Sequence, residues 1–221
     1  LPTLVIVGAG PGISAATARR FGGEGYAVGL VSRAAAPTQL GEELRAAGVA
    51  TAEAAAEAGD PDSLTPALRA LAAELGPVDV LLYNVSVGRG TTAQELTPEA
   101  LQADLAAGAV GLQTAVRAVL PDMLARGGGS VLATGGGAAD RPFASLPTLG
   151  VQKAALRALV QALAAGLADD GVHVATVTVR GVVGGGDRQV HPDRVAGLYA
   201  DLVAETSGPR ENWRTVVDLH P

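Results

Sequence analysis

The chain has 221 residues, of which 48% are hydrophobic and 17% charged, a size and balance that fit one α/β domain with a substantial core rather than a disordered segment. Its formal net charge is −6, which leaves no basic footprint for nucleic acid and no polybasic membrane patch. There is no cysteine, so disulfides, thiolate nucleophiles and Cys-based metal sites are excluded, as expected of a cytoplasmic protein.

The opening "TLVIV" is a short apolar run closed by glycines, with no basic flank and too few residues to span a bilayer. It predicts a buried strand. Further strands are predicted at "YAVGLV", "VDVLLY", "SVLAT" and "VHVATVTV", with a weaker one near "GVAT" and a short one near "TVVD". Helices are predicted between them at about 12–24, 39–47, 61–75, 98–125, 151–168 and 192–205. Pro61 and Pro98 each follow a capping residue, Asp60 and Thr97, and Pro192 follows His191 in the same way. Strands apolar on both faces and joined by helices predict a single-domain Rossmann-type fold over 1–221, a doubly wound parallel sheet flanked by helices.

The first strand runs into "GAGPGISAATARRF". Strand, glycine turn and helix stand in the order that a dinucleotide site requires. Gly8 permits a tight turn and Gly12 lets the backbone approach a pyrophosphate. The helix then begins at Ile13 with free N–H groups and its positive dipole end. Ser14 stands where a third glycine is common. The second strand ends in Arg33 with no acid beside it, and a guanidinium there favours the 2′-phosphate of NADP over the free ribose of NAD.

These motifs resemble the short-chain dehydrogenase/reductase family over nearly the whole chain. "GAGPGIS" is similar to the family's glycine turn, "YNVSV" at 83–87 to its NNAG segment through Asn84, and "AVLPDML" to a characteristic helix segment. The resemblance implies oxidoreductase activity on a small carbonyl, enone or alcohol, and assembly as a homodimer or homotetramer. It also assigns Glu57 and Ala58 to the adenine, Lys153 to the nicotinamide ribose and Gly181 to the turn after the sixth strand. The family's proton-handling residues are missing. Leu149 stands at the catalytic Tyr position, Gly136 at the Ser and Gly108 at the Asn.

None of these three replacements can move a proton through its side chain. Two classes of function follow. One is an NADP-dependent oxidoreductase with a non-standard proton donor. The other is a redox-neutral isomerase, dehydratase or cyclase of the same fold, or a non-catalytic ligand binder. Beside Lys153, candidate donors are Tyr83 and Thr134, which close the fourth and fifth strands where ligand crevices lie. Asp140, Arg141 and Ser145 on the following loop, and Asp187, Arg188 and His191 in the lid region, are further polar candidates. His173 is expected to be structural. No spacing suggests a metal site. In the helix after Lys153, polar Arg157 and Gln161 continue one narrow stripe and nearly every other position is apolar, which predicts a second buried face between subunits.

Overall fold

The computed structural model describes residues 1–34, 36, 38–184 and 189–221. Seven strands, β1 (Thr3–Val7), β2 (Ala27–Ser32), β3 (Thr51–Ala55), β4 (Val80–Tyr83), β5 (Gly129–Gly136), β6 (Val172–Val179) and β9 (Val216–Leu219), form one sheet in the order β3-β2-β1-β4-β5-β6-β9. Every neighbouring pair is parallel. A two-residue pair, β7 (Val182–Val183) with β8 (Gln189–Val190), lies outside it.

Strand alternation divides the core in two. Val5 and Val7 of β1 join one cluster with α3 (Pro61–Leu75), α5 (Gly111–Ala125) and α6 (Pro147–Leu167). Leu4 and Ile6 join the other, with α1 (Ile13–Gly23), α2 (Gln39–Ala46) and α7 (Pro192–Ala204). Both faces are therefore dry, which is why the strands read as continuous apolar runs. The strand order reverses between β1 and β4, and the carboxyl ends there open the crevice in which such sheets bind ligands.

Three sequence expectations shift, and one element is new. The strand expected near "GVAT" lies at Thr51–Ala55, an alanine-rich edge in which Glu53 binds Arg45 and the Thr38 N–H instead of packing. The helix expected at 151–168 begins at Pro147, whose missing N–H suits a first turn. The segment 98–125 is helical throughout, but a π turn over Ala106–Val110 separates α4 (Pro98–Leu105) from α5. The β7–β8 pair had no signal at two residues per strand.

His173 is structural, as expected. It is buried in β6, with one ring nitrogen 2.9 Å from the Leu202 carbonyl and the other 2.9 Å from that of Arg214. His191 caps α7, its Nδ1 accepting from the Asp193 N–H. Asp187 and Arg188 lie outside the described residues.

Candidate functional site

The turn after β1 is made of backbone. Gly8 has φ +89° and Gly12 φ +84°, both in the left-handed region that favours glycine. A Cβ on Gly8 would fall 2.5 Å from the Asn84 carbonyl oxygen, so the absence of a side chain lets β4 close against the turn. A Cβ on Gly10 would meet nothing within 4 Å, and one on Gly12 only Val183 Cγ1 at 3.8 Å. The outer surface of the turn is thus open backbone. No side chain caps the first turn of α1, and Ile13 and Ser14 carry its leading N–H groups. This is a fitting cradle for a pyrophosphate.

Ser14, in the third-glycine position, is buried and works as a brace. Asn84 Nδ2 donates to Ser14 Oγ at 2.7 Å, and that hydroxyl donates to the Gly8 carbonyl at 2.9 Å. The relay ties the end of β4 to the glycine turn. The N–H groups of Gly8 and Ala9 both reach the Val31 carbonyl, which binds the end of β2 to the same place. Arg33 is exposed just beyond β2, and Glu57 is exposed two residues past β3. Ala58 is half-buried, and its carbonyl occupies the space that a Cβ on Gly111 would need. Gly181 is half-buried at the carboxyl end of β6.

Lys153 is the only lysine in the chain, a count the sequence itself offers as a signal. It is 7% exposed on α6, and its Nζ donates to the carbonyls of Thr134 at 2.8 Å and Val85 at 3.2 Å. The ammonium therefore sits across the ends of β4 and β5 with one of its three N–H bonds left over. Burial lowers its pKa from 10.5 to about 8.

Two of the expected proton donors are corrected. Tyr83 is fully buried, and its side chain points into the α3–α5 cluster, donating to the Ala107 carbonyl at 2.5 Å. Burial raises its pKa, which removes it further from acid–base work. The π turn explains the bond: the widened helix frees carbonyls, and Tyr83 satisfies one of them. Thr134 contributes only its backbone oxygen. Its hydroxyl shares a 2.7 Å hydrogen bond with the buried Tyr199 on the opposite face of the sheet.

The three positions that the resemblance assigns to proton-handling side chains differ in the space around them. A Cβ on Gly136 would lie 3.6 Å from Lys153 Cγ, an ordinary contact, so the pocket there is open. Leu149, half-buried, sits one turn before Lys153 on α6. At Gly108 the space is taken, because a Cβ would fall 2.2 Å from Gln152 Oε1. Gln152, which fills that space, and Asp104 next to it on α4 carry no signal in the sequence that singles them out.

Beside the site, Asp104 is buried on α4 and takes both Nε and Nη2 of Arg89, at 2.9 and 2.7 Å. That guanidinium, with the Thr148 hydroxyl, holds the Asp104 carboxyl below its usual value. A cavity of about 680 Å³ opens between segment 90–95 and residues 144–145, including Ser145. Asp140 is held by Arg157, at 2.7 and 3.1 Å, and by Arg180 at 3.0 Å, and it serves as a structural tie. Arg141 is exposed.

Comparison with known proteins agrees with this geometry. An oxidoreductase of Sarocladium schorii, asL5, is 32% identical over 177 residues, 78% of this chain and 68% of that protein. A 3-dehydrosphinganine reductase of Arabidopsis thaliana, TSC10B, is 30% identical over 76% of this chain, and the match spans about half of its length. The chain matches only 14% of a glycine betaine reductase of Emericella nidulans. Among solved structures, a metagenomic short-chain oxidoreductase in complex with NADP superposes with a TM-score of 0.88 at 26% identity, covering 100% of this chain and 97% of that one. L-sorbose reductase of Gluconobacter frateurii, complexed with NADPH and L-sorbose, shares the fold at a TM-score of 0.87 and 22% identity. With the family model of short chain dehydrogenases matching residues 2–193, the chain belongs to that family.

Proposed function

We propose that this chain is an NADP(H)-dependent oxidoreductase acting on a small carbonyl, enone or alcohol, with Lys153 as its proton donor. The observation that carries the reading is the placement of Lys153 Nζ across the ends of β4 and β5, joined through Val85 and Asn84 to the glycine turn. Gly8, Gly12 and Ile13 would hold the pyrophosphate, Asn84 would support the turn, and Arg33 would meet the 2′-phosphate. Glu57 and Ala58 would border the adenine, and Gly181 the nicotinamide end. NADP is favoured over NAD because Arg33 presents an exposed guanidinium where NAD enzymes place a carboxylate.

A bound nicotinamide supplies or takes the hydride. The remaining work falls to the chain. As a carbonyl carbon gains hydride, its oxygen takes one proton from the Lys153 ammonium, leaving a neutral amine that solvent protonates again. A pKa near 8 suits a donor working close to neutral pH. A redox-neutral enzyme or a ligand binder is the second reading. Leu149, Gly136 and Gly108 together favour it, since three proton-handling side chains are gone.

Subunit association is proposed through the helices beside the site, where Val110, Leu124 and Val151 are 55, 43 and 44% exposed. Calorimetry with NADPH and NADH, followed by NADPH oxidation against a carbonyl panel, separates the readings. Tight NADPH binding with turnover supports the oxidoreductase. Binding without turnover on any carbonyl passes the function to the second reading.

A further inference from the structure

Gln152 precedes Lys153 on α6, and neither the Rossmann fold nor the cofactor cradle calls for it. It is fully buried, yet its amide is satisfied at both ends by a single residue. The Val87 N–H donates to Gln152 Oε1 at 2.9 Å, and Gln152 Nε2 donates to the Val87 carbonyl at 3.0 Å. This is the reciprocal pairing that a neighbouring strand would give. Nε2 also reaches Thr148 Oγ1 at 3.3 Å. Two residues earlier in the same segment, the Val85 carbonyl accepts Lys153 Nζ. Two adjacent helix residues therefore grip Val85 and Val87, one by its ammonium and the other by its amide. The Gln152 side chain lies where a side chain on Gly108 would have to go, with Oε1 and Cγ 2.2 and 2.6 Å from the position of that Cβ.

We propose that Gln152 is a positioning residue of this site. It fills the space left by Gly108 and holds the backbone of residues 85–87 so that the Val85 carbonyl fixes the Lys153 ammonium. The role rests on the reading of Lys153 as a site residue, and it explains why the glycine at 108 leaves no void. A void there would admit water beside Lys153, and the carbonyl cradle would loosen. The charged groups in the surrounding elements are paired among themselves, Asp104 of α4 with Arg89 from the loop before it and Asp140 with Arg157 and Arg180 beyond β5. None of these carboxylates is bonded to the ammonium, so changes in its burial and in its carbonyl partners should dominate its titration.

Because Lys153 is the only lysine, 13C-lysine labelling gives a single side chain to follow by NMR in the cofactor-free protein. Gln152→Met keeps the volume and removes both bonds to Val87. With the volume kept, the site stays dry while the Val85 carbonyl is freed to drift from the ammonium, and the loss of an acceptor disfavours the charged form, so the Lys153 titration midpoint is expected to fall by about one unit from about 8. Gly108→Asn alone is expected to melt several degrees below wild type, because its side chain meets Gln152. Gly108→Asn with Gln152→Ala returns an amide to the same space from the opposite helix. It is expected to recover most of the melting temperature and to bring the midpoint back to within about half a unit of wild type. An unchanged or raised midpoint in Gln152→Met overturns the positioning role. A double variant that melts no higher than Gly108→Asn alone, or whose midpoint stays with that of Gln152→Met, overturns the exchange between the two positions. Loss of the oxidoreductase reading would show separately, as failure of the wild-type protein to bind NADPH in calorimetry, and would leave the lysine titration standing.

Discussion

The two ends of the crevice are built from different materials. At the β1–α1 end the groups that would meet a cofactor are backbone atoms, left open because Gly10 and Gly12 carry no side chains, while the bare Gly8 lets β4 close and Asn84 and Ser14 brace the turn from behind. At the β5–α6 end the resemblance places the family's chemistry on side chains, at positions held here by Leu149, Gly136 and Gly108. The sheet tolerates the second set of changes because none of those side chains is needed to close a strand or fill the core. It would not tolerate the first, since a Cβ on Gly8 would collide with the Asn84 carbonyl. A backbone site is thus tied to the fold, whereas a side-chain site can be lost while the fold remains.

The largest effect should come from rebuilding the weaker end. Gly136 has room for a side chain beside Lys153, and Leu149 lies one helical turn from it. Leu149→Tyr with Gly136→Ser is expected to raise NADPH-dependent carbonyl reduction by about 10²–10⁴-fold, the usual value of a positioned general acid. Steady-state NADPH absorbance reads the outcome. No gain would mean that a side chain at 149 or 136 is not what limits turnover at this end.

The next effect concerns Lys153 and the pH dependence of stability. Its folded pKa of about 8 lies below the ordinary 10.5. Between those values the unfolded chain binds the extra proton, so stability should climb as pH rises from about 8 to 10.5. Below pH 8 the full penalty of the buried charge applies, on the order of 3 kcal/mol. Chemical denaturation of the cofactor-free protein from pH 7 to 10.5 should show this rise. In Lys153→Met the part of the slope due to this group should vanish. Equal slopes in the two proteins would mean that the ammonium is better solvated than its burial indicates.

At the cofactor end, Arg33→Ala is expected to weaken NADPH binding by about 10–100-fold and to leave NADH unchanged, the range for a lost hydrogen bond to a charged group. Calorimetry with both nucleotides measures it. Equal losses for the two would place Arg33 outside the 2′-phosphate contact.

Legibility in the sequence followed the same division. The glycine turn, the apolar runs and the proline-started helices carry their geometry in residue type, so the sheet and its crevice were readable. The roles of Tyr83 and Thr134 were not. A strand end shows that a residue is near the crevice, but alternation decides which face it points to, and nothing in "VLLY" or "SVLAT" marks that choice. Tyr83 shares its face with Leu81 and the α3–α5 cluster, while Thr134 follows Leu132 towards α7. The Gln152–Gly108 contact was also hidden, because it joins helices distant in sequence through a π turn that has no sequence marker beyond one glycine.

The smallest effect tests the reassignment of Tyr83. Its hydroxyl donates to the Ala107 carbonyl in the π turn, inside the core and on the far side of the sheet from Tyr199 and Thr134. Tyr83→Phe removes that one bond and leaves the ring in place. The Ala107 carbonyl then loses a buried partner, and stability should fall by about 1 kcal/mol. A general acid removed from the site would instead cost about 10²–10⁴-fold in rate. Turnover on any substrate found active, or NADPH affinity where none is, should therefore stay within about twofold of wild type, with a measurable drop in the denaturation midpoint. A large loss of rate with unchanged stability would return Tyr83 to the reacting atoms and require the π turn to open during the reaction. The predicted pattern, lower stability at constant activity, fits a tyrosine whose work is to close the helix turn over which Gln152 packs.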